Sequence, residues 1–518
     1  MDKAVAVIDI GMTNKKVALY DGDLRMLDSA HRSFEPLSAG SEGIPAHDLA
    51  GMEEWFLDTL AAFARKREIG AVAVTTHGAT MVLVGKDGRP CAPCLYYTHE
   101  PGPAFHERFY AMAGRRESLQ AVTGTPDLSA MINPAKGLLF LKENFPENFA
   151  RAELVLSYPQ YWGWRLTGKA GAEGTYAGCH TYLWDWERER YSSVAEALGV
   201  AAKMPSPLRR SWDPLGRIKP EVAARTGLPA DTVVTMGIHD SNASLLPHIA
   251  KKGGGDFVLN STGTWCVLMH PRERFGFEPG ELGKVVFFNR SALMKPVKTA
   301  IFLGGMEYET WSRAIETASG HKPEDPGAAA YPGLLAAADC FILPELVPGS
   351  GQFPGSRSRA VEGGREYALD DIKAGRAAPA FMRDARKAMA ALDASLAIQT
   401  RVALGRTGLG SGTEVFTEGG FRRNADYNAL LATALPRNRA YLTDIAEATS
   451  LGAAMTAAAA LRDAEGRGSA EATADGGRAM LEEIARAFEI DYRPVEPMPG
   501  ASSFEGYARA WLERVGGA

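Results

Sequence analysis

Cysteine is scarce, no apolar run is long, and neither sign of charge dominates. Five cysteines among 518 residues do not make a disulfide framework. Cys91-Ala92-Pro93-Cys94 has redox-like spacing, but it follows a turn, Lys86-Asp87-Gly88-Arg89-Pro90, rather than opening a helix. With no second CxxC to complete a zinc site, these read as inert thiols in a reducing compartment. No apolar run reaches the roughly 18 residues of a membrane span, and the Ala-rich stretch Ala453 to Leu461 reads as a packed helix. Met1-Asp2-Lys3-Ala4 lacks a basic n-region and an extended apolar core, so no secretory signal is expected and the predicted location is the cytoplasm. A formal net charge of −5 leaves no electrostatic footprint for nucleic acid. The chain is too long for one core, so two or more domains are expected.

What is present is an alternation of short apolar strands, tight turns and helical periods, which predicts an α/β fold. Val5–Ile8 and Lys16–Tyr20 read as strands, Met52–Lys66 as a helix, and Ala71–Thr75 as a strand ending at Thr76-His77-Gly78. Further helices are predicted over Pro134–Asn144, Gln160–Leu166, Met382–Arg401, Ala425–Ala434 and Ala446–Leu461, with an exposed loop over Gly466–Gly477. The charged glycine run Lys251-Lys252-Gly253-Gly254-Gly255 is the best domain boundary, giving 1–250 and 251–518. The strand-turn-strand pattern restarts just after it, a duplication of architecture with little residue identity.

Two segments, one opening each half, could cradle phosphate. Asp9-Ile10-Gly11-Met12-Thr13-Asn14-Lys15-Lys16 and Ser261-Thr262-Gly263-Thr264-Trp265 each follow an apolar strand and offer backbone N–H groups and hydroxyls. The first adds a carboxylate suited to magnesium and a cation to balance developing charge. The bland alternative is a β-turn, where Asp and Gly are common. Glu418-Gly419-Gly420-Phe421-Arg422-Arg423-Asn424 could admit a flat ring, with Asn424 on an adenine edge or, alternatively, capping a helix. In Gly237-Ile238-His239-Asp240 the carboxylate could accept a proton from an attacking hydroxyl, or could be a helix N-cap. His77 and the Tyr96-Tyr97-Thr98-His99-Glu100 segment suit a polyhydroxy ligand, whereas Tyr161, Trp162 and Trp164 read as core. Ligands of α/β folds bind beyond the carboxyl ends of strands, so Asp9, His77 and Asp240 are expected in one cleft.

Taken in order, these segments resemble the FGGY carbohydrate kinases, a branch of the actin/hexokinase/heat-shock ATPase superfamily. Asp9-x-Gly11-x-Thr13 with Lys16 resembles the first phosphate motif, Thr76-His77-Gly78 the sugar loop, and Gly237-x-His239-Asp240 the catalytic-base motif. Ser261-Thr-Gly263-Thr264-Trp265 resembles the second phosphate motif, Gly419-Gly420-x-x-x-Asn424 the adenosine motif, and Leu451-Gly452-Ala453-Ala454 also looks like family sequence. The resemblance implies two actin-like (ribonuclease H-like, ASKHA superfamily) α/β domains with a nucleotide cleft between them. The first would carry the sugar and the base, the second ATP. It implies phosphorylation of a sugar hydroxyl by ATP with Mg²⁺. Asp240 is then the base and Asp9 the metal-holding carboxylate. His77, Gly78, Glu100 and His239 would bind sugar. Gly11, Thr13, Asn14, Lys16, Gly263 and Thr264 would bind phosphate, and Gly419, Gly420 and Asn424 adenosine. A His before the base and a Trp after Gly-Thr look most like the L-fuculokinase and L-rhamnulokinase branch, which phosphorylates ketoses, although His77 also resembles the xylulokinase sugar loop. The rival substrates are xylulose, ribulose and erythritol. Rival classes are an actin-like ATPase and a non-catalytic sugar-binding protein. Dimers are common in such families, which leaves room for a homodimer.

Overall fold

The computed structural model describes residues 3–445, 447–464 and 474–516. The opening apolar run forms β1 (Ala4–Ile10), which turns back into β2 (Asn14–Tyr20) and on into β3 (Met26–Ser33). The three pair antiparallel. On its other side β1 pairs in parallel with β4 (Ile69–Thr76). β5 (Pro214–Arg217) forms the edge beside β6 (Val233–Thr235), which is parallel to β4. A two-residue strand, β7 (Ile238–His239), continues along the end of β4. β1 and β4 are buried on both faces, which is why they read as near-continuous apolar runs rather than alternating ones.

The second half repeats this path. Its strands are β8 (Phe257–Thr262), β9 (Cys266–Pro271), β10 (Val286–Arg290), β11 (Pro296–Phe302), β12 (Glu414–Gly419), β13 (Arg439–Thr443) and β14 (Tyr492–Pro494). β8, β9 and β11 form an antiparallel meander, and β12 and then β13 add in parallel beside β8. Among the described residues both sheets have seven strands. The repeat heard in the sequence as strand-turn-strand is a repeat of topology.

The helices that matter below are α1 (Leu49–Ala64), α2 (Tyr158–Thr167), α3 (Asp240–Lys252), α4 (Gly304–Ser319), α5 (Ala385–Arg406), α6 (Ala425–Ala434) and α7 (Ala448–Ala464). α1 buries Met52, Phe56, Leu60 and Phe63 at helical spacing. α2 ends on left-handed Gly168 and α3 on left-handed Gly253. α3 and α7 cross between the two sheets. α7, from the second half, lies against β1, β4 and β6 of the first. α3, from the first half, meets the second sheet through His248, whose ring stacks 5.6 Å from Phe416 and bonds Glu418 at 3.2 Å. The two helices touch at Gly452: a Cβ there would sit 1.8 Å from the carbonyl oxygen of Ala243. One buried cluster (Val5, Val7, Ile238, Leu259, Phe416 and Ala457 among its members) therefore belongs to both halves.

Several boundaries differ from expectation. The helix expected from Met382 begins at Ala385, because Asp384 caps it by accepting from the N–H groups of Arg386 and Lys387, and it runs on to Arg406. The helix expected from Ala446 begins at Ala448; Ala446 itself lies outside the described residues. Of the loop expected over Gly466–Gly477, residues 466–473 lie outside the described residues, while Ala474–Ala485 is a helix that buries Leu481, Ile484 and Ala485. Tyr161 and Trp162 are core, as expected, at 1% and 2% exposure, whereas Trp164 is only partly buried against the same cluster.

Candidate active site

The parallel register of the first sheet decides what the strand ends present. Asp9 on β1 lies beside Thr75 on β4, and His239 on β7 lies beside Thr76. Asp9, His77 and Asp240 therefore leave three neighbouring strand ends together, as the sequence predicts. A cavity of about 220 Å³ opens there between the two halves. His77, Tyr97, His180, His239 and Asp240 form its polar side, and Trp265, Val267, Phe287 and Ile301 from the second half wall it on the other, with Leu128 and Ile132.

Asp240 is the first residue of α3; His239 occupies the N-cap position, so the reading of Asp240 as the cap itself does not hold. Its Oδ1 accepts from the Ser241 N–H at 2.6 Å and lies 3.2 Å from His239 Nε2. Burial pushes its pKa up to about 6, against these hydrogen bonds. His239 is kept neutral by burial, its pKa brought down to about 4. Its backbone N–H donates to Thr175 Oγ1 at 2.9 Å, and that hydroxyl donates to buried Glu173 at 2.7 Å. Burial raises Glu173 to about 8. His77 is buried, and neither ring nitrogen has a hydrogen-bond partner among the described residues. Such orphaned polar atoms beside a cavity want a ligand or water.

Asp9 is raised by burial, with Lys16 pulling the other way at 3.2 Å and Asp240 adding to the rise. Burial opposes the Lys16 charge, but Asp9 and Glu447 overcome it and hold its pKa above the usual lysine value. Glu447 comes from the second half, so this ion pair joins the lobes. The first phosphate-loop candidate is a tighter hairpin than the sequence suggests. Only Gly11, Met12 and Thr13 lie outside the strands, and the Gly11 N–H closes on the Asn14 carbonyl at 3.1 Å. Asn14 is a strand residue whose Oδ1 accepts from Ser33 at 2.9 Å. Buried Lys15 donates to the Met12 carbonyl at 2.8 Å and braces the turn. Gly263 and Thr264 are exposed in the opposing turn. The start of α4 presses on it so closely that a Cβ on Gly305 would lie 2.0 Å from the Gly263 carbonyl oxygen. Gly419 has φ +81°, and a Cβ there would lie 2.0 Å from the Thr262 carbonyl oxygen. Gly420 opens the short turn that follows.

Two expected site residues are engaged elsewhere. Glu100 does not line the cavity; it accepts from His106 at 2.7 Å and from the N–H groups of Gly102 and Ala130 at 2.8 Å, holding its own loop. Asn424 caps α6, accepting from Tyr427 N–H at 2.8 Å, while its amide donates to Asp393 at 2.7 Å. Both ends of its side chain are thus used, and the capping alternative is the one the structure realises. The sequence reading passed over His180, Glu447, Glu173-x-Thr175 and Gly304-Gly305. Of these, only Gly304-Gly305 carried a signal, the strand-then-glycine pattern after Ile301-Phe302. All five cysteines are free, and burial raises the Cys94 and Cys91 thiols.

Two lobes of repeated topology, with paired glycine turns and a burial-raised carboxylate lining the cavity between them, make a two-domain α/β architecture of the actin-like kind. Comparison with known proteins narrows this. Residues 4–247 match the N-terminal domain of the FGGY family of carbohydrate kinases, and residues 254–465 match a C-terminal domain of carbohydrate kinase FGGY. The chain belongs to the FGGY family of carbohydrate kinases, whose members are ATP-dependent phosphotransferases. It is 26% identical over 276 residues to an L-fuculokinase from Salmonella typhi, covering 51% of this chain and 56% of that protein. It is 30% identical over 302 residues to a xylulose kinase from Bacillus subtilis, covering 55% and 57%. The matches thus span little more than half the length of these relatives. A solved carbohydrate kinase from Novosphingobium aromaticivorans superposes with a TM-score of 0.78 at 29% identity, covering 99% of this chain and 98% of that one. No helix among the described residues is long and apolar enough to cross a membrane.

Proposed function

We propose that this protein transfers the γ-phosphoryl group of ATP to a hydroxyl of a ketose sugar, with Asp240 as general base. One observation carries the reading: Asp240 lines the cavity beside His77 and His239, with its pKa raised to about 6 by burial. A base poised near neutrality and still ionised there can take a hydroxyl proton as transfer proceeds. His239 at its side and His77 with two free ring nitrogens offer the bonds that hold sugar hydroxyls. The apolar wall of Trp265, Val267, Phe287 and Ile301 favours a sugar with one deoxygenated end, the L-fuculose or L-rhamnulose type. That wall comes from residues after 251, so in this reading domain 1–250 supplies the base and polar contacts while 251–518 supplies ATP binding and part of the sugar pocket.

Phosphate oxygens are assigned to the turns at Gly11–Thr13 and Gly263-Thr264, the second of which is packed against the start of α4. Lys16 balances charge on the transferred group. Adenosine is assigned to the turn at Gly419-Gly420, where Gly419 lets the backbone pass close to the Thr262 carbonyl. Asp9 fits a hard cation: it is a cleft carboxylate whose charge Lys16 only partly offsets, and oxygen is the donor Mg²⁺ takes. Held there, the cation would neutralise phosphate charge. Closure of the lobes excludes water, which otherwise competes as acceptor.

The test is a coupled ADP-release assay with Mg-ATP over L-fuculose, L-rhamnulose, D- and L-xylulose, D- and L-ribulose, erythritol and glycerol, with a no-sugar control. Release that appears with one ketose and is lost in Asp240→Asn supports the reading. Sugar-independent release would replace it with an actin-like ATPase.

A further inference from the structure

We propose that Cys179, His180 and His239 form a binding site for a thiophilic divalent cation, zinc in character, at the edge of the sugar cavity, and that a cation held there silences Asp240. The silencing half rests on Asp240 as the base; the binding half does not.

The ligand atoms come from two strands of the argument already given. Cys179 and His180 follow the Glu173-x-Thr175 turn that holds β7, and His239 ends β7. The Cys179 Sγ and one ring nitrogen of each histidine lie within 4.8 Å of one another. Gly78 lets its backbone pass close to two of them: a Cβ there would fall 2.5 Å from His239 Nε2 and 3.1 Å from Cys179 Sγ, so a larger residue would crowd both atoms. His180 Nδ1 is buried and has no hydrogen-bond partner among the described residues. Among the described residues Cys179 Sγ has only a long contact, 3.6 Å, to the Gly78 carbonyl. Tetrahedral zinc takes sulfur at about 2.3 Å and imidazole nitrogen at about 2.0 Å, so its donors stand roughly 3.5 Å apart. The three side chains reach that spacing by closing in about 1 Å. The fourth position opens on the cavity, where water or Asp240 can complete it.

The surroundings already contain the partner that a ligating imidazole needs. Asn242 Nδ2 lies 3.0 Å from His239 Nδ1, and it can only donate, so Nδ1 accepts and the ring proton is on Nε2, facing Asp240 Oδ1 at 3.2 Å. Asn242 Oδ1 has no hydrogen-bond partner among the described residues. A flip of this amide presents that oxygen to Nδ1, moves the ring proton there, and frees the Nε2 lone pair for the cation. Cys179 releases its thiol proton to solvent as the cation binds. One sulfur and two nitrogens select zinc-like ions over Mg²⁺, so the cation that accompanies ATP does not compete. Once the site is filled, His239 no longer faces a sugar hydroxyl and Asp240 neighbours a positive ion that holds its lone pairs.

The experiment uses the full chain, reduced, without sugar or ATP, titrated with Co²⁺ as a spectroscopic probe and then with Zn²⁺. Wild type should bind one ion, with a thiolate-to-cobalt band in the near ultraviolet and the visible bands of a tetrahedral centre, both lost on adding Zn²⁺. Cys179→Ser, checked for an unchanged melting temperature and backed by Cys179→Ala, should lose the thiolate band and weaken zinc by more than about 10-fold. The double variant Cys91→Ser/Cys94→Ser should keep the band. Absence of the band in wild type, or its survival in Cys179→Ser, overturns the site. In the sugar-dependent ADP-release assay, Cys179→Ser should turn over as wild type does and need more than about 10-fold more zinc for half inhibition. Equal zinc sensitivity overturns the silencing while leaving the binding result to stand on its own.

Discussion

Replacing Asp240 by Asn separates activity from stability. Burial raises the Asp240 pKa from 3.8 to about 6, so the native state disfavours the carboxylate. At full burial that shift is worth about 3 kcal/mol against folding above pH 6. About a third of the side chain, 32%, meets the solvent-filled cleft, and screening reduces the penalty to about 1 kcal/mol. Asn removes it with the same shape. Below pH 3.8 both folded and unfolded chains carry the neutral acid and the variant gains nothing. Between 3.8 and 6 the unfolded carboxyl ionises first and the gain grows; above 6 it is complete. The variant should therefore melt about 1–3 °C higher than wild type at pH 7.5 and alike at pH 3.5. Its sugar-dependent turnover should fall by about 10²–10⁴-fold. Calorimetry at the two pH values and the coupled assay read both. A variant with more than a tenth of wild-type turnover would refute the base assignment, and a lower melting temperature at pH 7.5 would refute the burial argument.

Wild-type turnover should itself rise with pH through about 6, because only ionised Asp240 accepts the proton; a flat profile between pH 5 and 7 would exclude it. His77→Phe keeps the aromatic packing with Tyr97 and Tyr158, 5.1 and 5.3 Å away, and should raise the sugar KM about 10-fold or more through a lost hydrogen bond while leaving the ATP KM alone. Gly419→Ala meets the Thr262 carbonyl and an unfavourable φ, so the ATP KM should rise, and an unchanged value would disconnect this turn from the nucleotide. Gly452→Ala forces α3 and α7 apart and should cost about 3 kcal/mol or more in a denaturant titration.

How much of this was legible depended on whether a residue's partner is near in sequence. The strand ends bearing Asp9, His77 and Asp240 were legible because an apolar run stopped by a polar residue is a local pattern, and parallel pairing then brings such ends together. The turn at Gly11 was legible as a turn but not in its length, since Asn14 and Lys15 are drawn into β2 by pairing with β3. Asn424 could be read two ways, and the choice fell to Asp393, a buried carboxylate on α5 that no local pattern announces. Glu100 looked free because the groups it holds, Ala130 above all, lie on another loop. His180 and Glu447 sit in connecting segments with no local pattern of their own; each reaches the site only because the surrounding fold carries it there.

The crossing of α3 and α7 has a consequence for how the chain could be divided. Each half lends its long helix to cover the other half's sheet, so a cut at the Gly253-Gly254-Gly255 turn would leave two fragments, each with a bare apolar sheet face and an orphan helix. Such fragments should fail alone and fit together when mixed, as a pair exchanging arms. The same exchange couples the two sheets, because neither can tilt without carrying the helix that lies on its neighbour.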